Sequence, residues 1–168
     1  MARTMMIAVT VAALALTGCA SKPKRLPPVA DGTPGGYGNG TDPNGGIVPG
    51  SQQDFIRSVM SDRVFFDTDR YNIDSDDMAA LQSQAQWLAR YPNVRATIEG
   101  HCDERGTRDY NLALGERRAN AAKNALISMG VHPSRVSTVS YGKERPDALG
   151  SDQESWARNR RAVTVTIR

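Results

Sequence analysis

Cysteine and histidine are both scarce in this chain of 168 residues, with two of each. The histidines, His101 and His132, show no paired metal-ligand spacing, which argues against a zinc site. A thiol hydrolase built on His101, Cys102 and Asp103 is also disfavoured. Neighbouring residues of a strand point to opposite faces, so the first two would not act on one substrate. Long apolar runs are missing too. The run from Met5 to Leu16 is too short to span a bilayer as a stable helix. The formal net charge is only +3 and the arginines are scattered, so a nucleic-acid partner is not expected. The pairs Arg117-Arg118 and Arg160-Arg161 read better as one ligand contact plus structural or surface charges.

What is present falls into three parts. Residues 1–18 read as a targeting segment: an early cation, Arg3, then the short apolar run, then Leu16-Thr17-Gly18-Cys19. That tetrapeptide resembles the lipobox of bacterial lipoproteins, which implies acylation of Cys19 as the new amino terminus. Ala20 after it, rather than Asp, implies sorting to the outer membrane. With Cys19 lipidated, Cys102 has no disulfide partner and is expected to be buried. Residues 19–50 are crowded with Pro, Gly, Asn and Asp and show no apolar periodicity, so they read as a disordered tether. About thirty flexible residues reach roughly 30 Å on average.

Residues 51–168 have the size and patterning of a single domain. Gln52–Met60 reads as a helical lead-in and Arg63–Phe66 as a strand, followed by a polar turn through Asp69. Asp74 or Ser75 caps a helix that carries Met78, Leu81, Ala85 and Leu88 at helical spacing until Tyr91-Pro92 stops it. A second strand covers Val94–His101. In the helix predicted over Asn111–Met129, Gly115, Ala119, Ala122, Leu126 and Met129 form a stripe that begins with small residues and lets the helix lie close to a sheet. Gly130 closes it. Val136–Tyr141 is a third strand, and a helical turn covers Glu154–Arg158. In the last strand, Arg161–Ile167, Val163, Val165 and Ile167 alternate with Thr164 and Thr166, which predicts a sheet covered on one face. The order β-α-β-α-β-β implies an α/β (α+β) two-layer sandwich with its helices on one face.

The stretch Glu99–Ala119 lies at the centre of this plan. A strand, a polar loop with Gly106, and a helix follow one another, and α/β proteins place binding groups at such strand exits. Asp103 sits at the exit. Arg118 lies two turns into the helix, on the side of Asn111 and Leu114. An anion and a planar cation brought together there suit a ligand with an amine and a carboxylate. The same spacing equally suits a plain Asp103–Arg118 salt bridge tying loop to helix.

Four ordered motifs carry a further resemblance: Glu99-Gly-His-Cys-Asp-Glu-Arg-Gly-Thr107, Tyr110-Asn-Leu-Ala-Leu-Gly-Glu-Arg-Arg-Ala-Asn120, Val139-Ser-Tyr-Gly-Lys-Glu-Arg-Pro146 and Asn159-Arg-Arg-Ala-Val163. Together they resemble the peptidoglycan-associated lipoproteins, within the OmpA-like domains, from about Phe55 onward. The resemblance implies a non-catalytic domain without cofactor or metal that binds the meso-diaminopimelate of the peptidoglycan stem. Asp103 would take the ligand amine and Arg118 its carboxylate. Asp69 would contribute from the first loop, Asn111 and Leu114 would shape the wall, and Thr107 would lie near the ligand. It also implies an outer-membrane location facing the periplasm, and TolB and the Tol complex as partners in maintaining the envelope during division. An OmpA-like wall-binding protein outside that system is the alternative, and a cell-wall hydrolase a remoter one. Cys102 departs from the family's usual Ala or Thr, and Phe66-Asp67-Thr68 differs from some relatives.

Overall fold

The computed structural model describes residues 46–167, so the targeting segment, Cys19 and most of the tether lie outside the described residues. The chain runs α1 (Gln52–Ser58), β1 (Arg63–Phe65), α2 (Ser75–Arg90), β2 (Arg95–His101), α3 (Arg108–Ser128), a 3₁₀ turn (Pro133–Arg135), β3 (Val136–Gly142), α4 (Gln153–Asn159) and β4 (Arg161–Ile167). The strands form one mixed sheet in the order β1-β4-β2-β3, with β2 and β3 parallel and β4 antiparallel to both its neighbours. The expected α/β layering is therefore present. Among the described residues no helix is long and apolar enough to cross a membrane.

Local chemistry explains the element ends. Ser51, Asp74, Thr107 and Asp152 each accept a backbone N–H from three residues on, and so cap α1, α2, α3 and α4. Thr107 is why α3 begins three residues earlier than its apolar stripe indicates. Gly130, just beyond α3, has φ of 99°, the left-handed conformation glycine adopts freely.

The core lies between the sheet and α2 and α3, with Leu81, Trp87, Leu88, Ile98, Ala119, Ala122 and Leu126 fully or almost fully buried. Phe55 of α1 packs edge-on against Trp87 at 5.0 Å. In β4 the covered face is the threonine face. Thr164 Oγ1 donates to Gln84 Oε1 (2.7 Å) and Thr166 Oγ1 to Gln52 Oε1 (2.7 Å), so two helix amides satisfy the hydroxyls, and Val163 and Val165 turn to the opposite face, where Val165 is still buried.

Two glycines set the distance between α3 and β2. A Cβ on Gly100 would collide with the Gly115 carbonyl, and one on Gly115 would meet Ser140 Oγ. Both obstacles sit in packed elements, so the helix would have to move. Gly100→Ala is expected to lower the unfolding free energy by about 1–3 kcal/mol or more, measured by urea denaturation.

The edge of β1 contains a titratable contact. The Phe65 N–H donates to both oxygens of Asp77 (3.2 and 3.1 Å). Burial, with repulsion from Asp74 and Asp76 added, raises the Asp77 pKa from 3.8 to about 6 against the lowering effect of that N–H. The folded state thus holds this proton more tightly than the unfolded chain. Its stabilising effect is complete below pH 4 and is lost as pH rises through 6. Asp77→Asn is expected to gain stability relative to wild type across pH 4–6, with the difference level above that, read from denaturation curves at stepped pH.

Candidate functional site

The β1–α2 loop, the β2–α3 loop and the first three turns of α3, joined by Arg160 from between α4 and β4, meet beyond the carboxyl end of β2. They enclose a cavity of about 260 Å³ lined by Thr68, Asp69, Cys102, Asp103, Arg105, Gly106, Tyr110, Asn111, Leu114, Arg118 and Arg160. Five of the six residues expected to contact a ligand, Asp69, Asp103, Asn111, Leu114 and Arg118, share this wall. The sixth, Thr107, caps α3 instead, and its carbonyl accepts from Asn111 Nδ2 at 3.1 Å.

Arg118 is fully buried. Its Nε donates to the Arg70 carbonyl (2.9 Å), Nη1 to that of His101 (2.9 Å) and Nη2 to that of Asp67 (3.0 Å), and the guanidinium lies over the Phe66 ring. Three of its five N–H donors are therefore spent joining β2 to the β1–α2 loop. Burial pushes its pKa down from the ordinary value, with the Asp103 and Asp69 carboxylates opposing that shift. No ion pair to Asp103 forms among the described residues, so the simple loop-to-helix salt bridge is not what this spacing encodes.

Asp103 is neutralised from elsewhere. Arg105 holds both carboxylate oxygens, Nε to Oδ1 at 3.1 Å and Nη2 to Oδ2 at 2.7 Å, and its own backbone N–H adds a third bond to Oδ1. Arg160 approaches Oδ2 at 3.5 Å. Burial alone would raise the Asp103 pKa, but the bonds from Arg105 and Arg160 outweigh it and hold the group below the usual carboxylate range. Arg105 itself is stacked on Trp156, its carbon 4.2 Å from the ring centroid.

The remaining wall is braced by the loops. Asn111 Nδ2 also donates to the Arg105 carbonyl (2.7 Å), and Lys143 Nζ donates to the carbonyls of Glu104 (3.1 Å) and Gly106 (2.7 Å). Asp69 adopts φ of 55°, which Asp tolerates better than most residues, and accepts from the Tyr110 hydroxyl at 3.2 Å. Cys102 is buried as expected. Its thiol donates to the Asn111 carbonyl (3.3 Å), and burial raises its pKa. His101 faces the other way, its Nε2 lying 3.6 Å from Glu99.

The cavity thus presents three guanidiniums, Arg105, Arg118 and Arg160, against two carboxylates, Asp69 and Asp103. Such a set favours a small ligand that carries an ammonium group together with at least one carboxylate. Among the charged wall residues, Arg105 and Arg160 are the two that sequence spacing alone did not bring into the site. Arg160 arrives from the far end of the chain because β4 lies beside β1, its Nε donating to the Phe66 carbonyl at 2.8 Å.

The sequence pattern of the OmpA family matches residues 65–160, which span every wall residue of this cavity. The peptidoglycan-associated lipoprotein of Rhizobium meliloti (strain 1021) is 55% identical over 164 residues, covering 98% of this chain and 88% of its relative. The chain belongs to the OmpA family, among its peptidoglycan-associated lipoproteins. The lipoprotein of that name from Pseudomonas aeruginosa is 41% identical, with 92% of this chain and 91% of the relative covered. The crystal structure of the peptidoglycan-associated lipoprotein from Burkholderia pseudomallei superposes with a TM-score of 0.64 at 44% identity, covering 68% of this chain and all of that one. Membership of the OmpA family accounts for the mixed sheet with its helices on one face and for the motif-bearing loops at one end. Among the described residues, no three His, Cys, Asp or Glu side chains group as a metal site.

Proposed function

We propose that the domain binds peptidoglycan without covalent chemistry, taking the free zwitterionic end of a meso-diaminopimelate residue into the cavity. The observation that carries this reading is the convergence of Asp103, held ionised, and the buried Arg118 on one small cavity. The ligand ammonium sits on Asp103 and Asp69, and its carboxylate meets the cavity edge of Arg118. Each charge-assisted hydrogen bond contributes about 1.5–3 kcal/mol. Chemistry on the ligand is not part of this reading: the Cys102 thiol is engaged with a backbone carbonyl, and His101 points away from it.

Family membership and the lipobox-like Leu16-Thr17-Gly18-Cys19 support a wider role. The chain is read as an outer-membrane lipoprotein facing the periplasm. Its tether lets a modest single-site affinity add up, over many wall sites, to firm attachment of the membrane to the wall. TolB and the Tol complex are the protein partners of this reading.

A sedimentation assay with purified sacculi tests it, using the full chain with Cys19→Ser so that no lipid contributes. Wild type is expected to pellet with the sacculi and to be released by free meso-diaminopimelate. Pelleting that free diaminopimelate leaves unchanged, or steady release of soluble wall fragments, would contradict the reading. Adding purified TolB is expected to give a stable complex by size exclusion, and failure to form one would remove the Tol assignment while leaving wall binding intact.

A further inference from the structure

The two edges of the sheet are finished differently. β1 is three residues long, and both of its outward N–H groups are taken: Arg63 donates to Ser61 Oγ (3.1 Å) and Phe65 to the Asp77 carboxylate. Short length, charge and capped donors are devices that protect a sheet edge from pairing. β3, at the other edge, runs seven residues as Val-Ser-Thr-Val-Ser-Tyr-Gly, with neither a charge nor a proline.

Hydrogen-bond parity shows which β3 peptide groups face outward. The N–H groups of Thr164 and Thr166 leave β4 on the side away from β2, toward the Asp62 carbonyl (2.8 Å) and Gln52 Oε1 (2.6 Å). Alternation in an antiparallel ladder then makes Arg95, Thr97 and Glu99 the β2 residues bonded to β4, and leaves Ala96, Ile98 and Gly100 for β3. With Ile98 opposite Thr138, β3 answers through Ser137, Val139 and Tyr141. Thr138 and Ser140 therefore direct both N–H and C=O away from the sheet. Their side chains turn under α3, Thr138 Oγ1 to Asn120 Oδ1 (3.5 Å) and Ser140 Oγ to the Leu112 carbonyl (2.7 Å).

We propose that β3 pairs antiparallel with β3 of a second copy of this chain, about a twofold axis at Val139. In that register Thr138 and Ser140 of the second copy exchange both of their backbone bonds, as do Ser140 and Thr138, giving four N–H···O bonds. On the open face Val139 meets its own symmetry mate, and Ser137 meets Tyr141. The strand suits itself because it is neutral throughout: twofold pairing sets no like charges opposite one another, as it would on a charged edge. None of the cavity-lining residues lies on β3, so the pair keeps two open cavities.

The register makes a test that random collision does not mimic. In the full chain with Cys19→Ser and Cys102→Ser, Val139→Cys places two thiols on the axis. There the Cα atoms are about 4.5 Å apart, within disulfide reach. Ser137→Cys places them about 13 Å apart, four residues out of register, although Ser137 is exposed and Val139 half-buried. Under mild oxidation the Val139→Cys chain is expected to form covalent dimer at least about ten times faster than Ser137→Cys. Equal rates, or a faster reaction at Ser137, would overturn the proposal. In a second measurement, sedimentation equilibrium of the chain with Cys19→Ser alone is expected to show a concentration-dependent dimer, abolished by Val139→Lys. A monomer at every concentration, or a dimer that survives Val139→Lys, would also overturn it.

Discussion

Arg118→Ala is expected to lower the unfolding free energy by about 3–5 kcal/mol and to remove wall binding at the same time. Its guanidinium is fully buried and supplies the hydrogen-bond donors for three backbone carbonyls, two in the β1–α2 loop and one at the end of β2. Alanine leaves those acceptors facing a void, and a buried acceptor without a donor costs about 1–3 kcal/mol. Arg118→Lys keeps the charge, but one compact ammonium cannot span the carbonyls of Asp67, Arg70 and His101 as a planar fork does. A loss of about half the alanine effect is expected. Thermal unfolding followed by circular dichroism checks both, with midpoints lowered by roughly 10–20 °C for alanine. If Arg118 acted only as a ligand contact, its removal would leave the midpoint unchanged.

Asp103→Asn is expected to separate binding from folding. The amide oxygen still accepts from the Arg105 backbone N–H and Nε, but the NH2 now faces the Arg105 and Arg160 donors whose bonds Oδ2 accepted. A stability loss smaller than that of Arg118→Ala is expected, while the cavity keeps three guanidiniums and only the Asp69 carboxylate. A ligand ammonium then meets a net positive wall. The loss of one or two charge-assisted bonds, at about 1.5–3 kcal/mol each, weakens binding by at least about 10–150-fold. Competition of free meso-diaminopimelate against sacculus-bound protein measures this. Equal affinity in the amide variant would show that Asp103 serves only to anchor Arg105.

The contrast between these two variants shows what the sequence made legible. The strand-loop-helix frame around Asp103 and Arg118 was readable because it is local. The stripe from Gly115 to Leu126 fixed the buried face of α3, and the three- and four-residue spacings put Arg118 on the side of Asn111 and Leu114. The partners of Arg118 were not readable, because Asp67 and Arg70 lie about fifty positions earlier and reach it only through the sheet order. Arg160 was hidden for the same reason, since the β1–β4 pairing that brings it to Asp103 joins opposite ends of the domain. Arg105 had a local signal, an arginine two positions beyond an aspartate in a tight loop, but loop geometry decides whether such a pair closes. In β4 the alternation was legible and its sense was not. The threonines face inward because Gln52 and Gln84 meet them there.

Backbone amide shifts of the isotopically labelled full chain, carrying Cys19→Ser and titrated with a soluble stem-peptide fragment containing meso-diaminopimelate, test the central claim most directly. Saturable shifts are predicted to concentrate at Thr68–Arg70, Asp103–Asn111 and Arg118. Saturation with those amides unmoved, or with the shifts gathered on a surface away from this cavity, would contradict the claim.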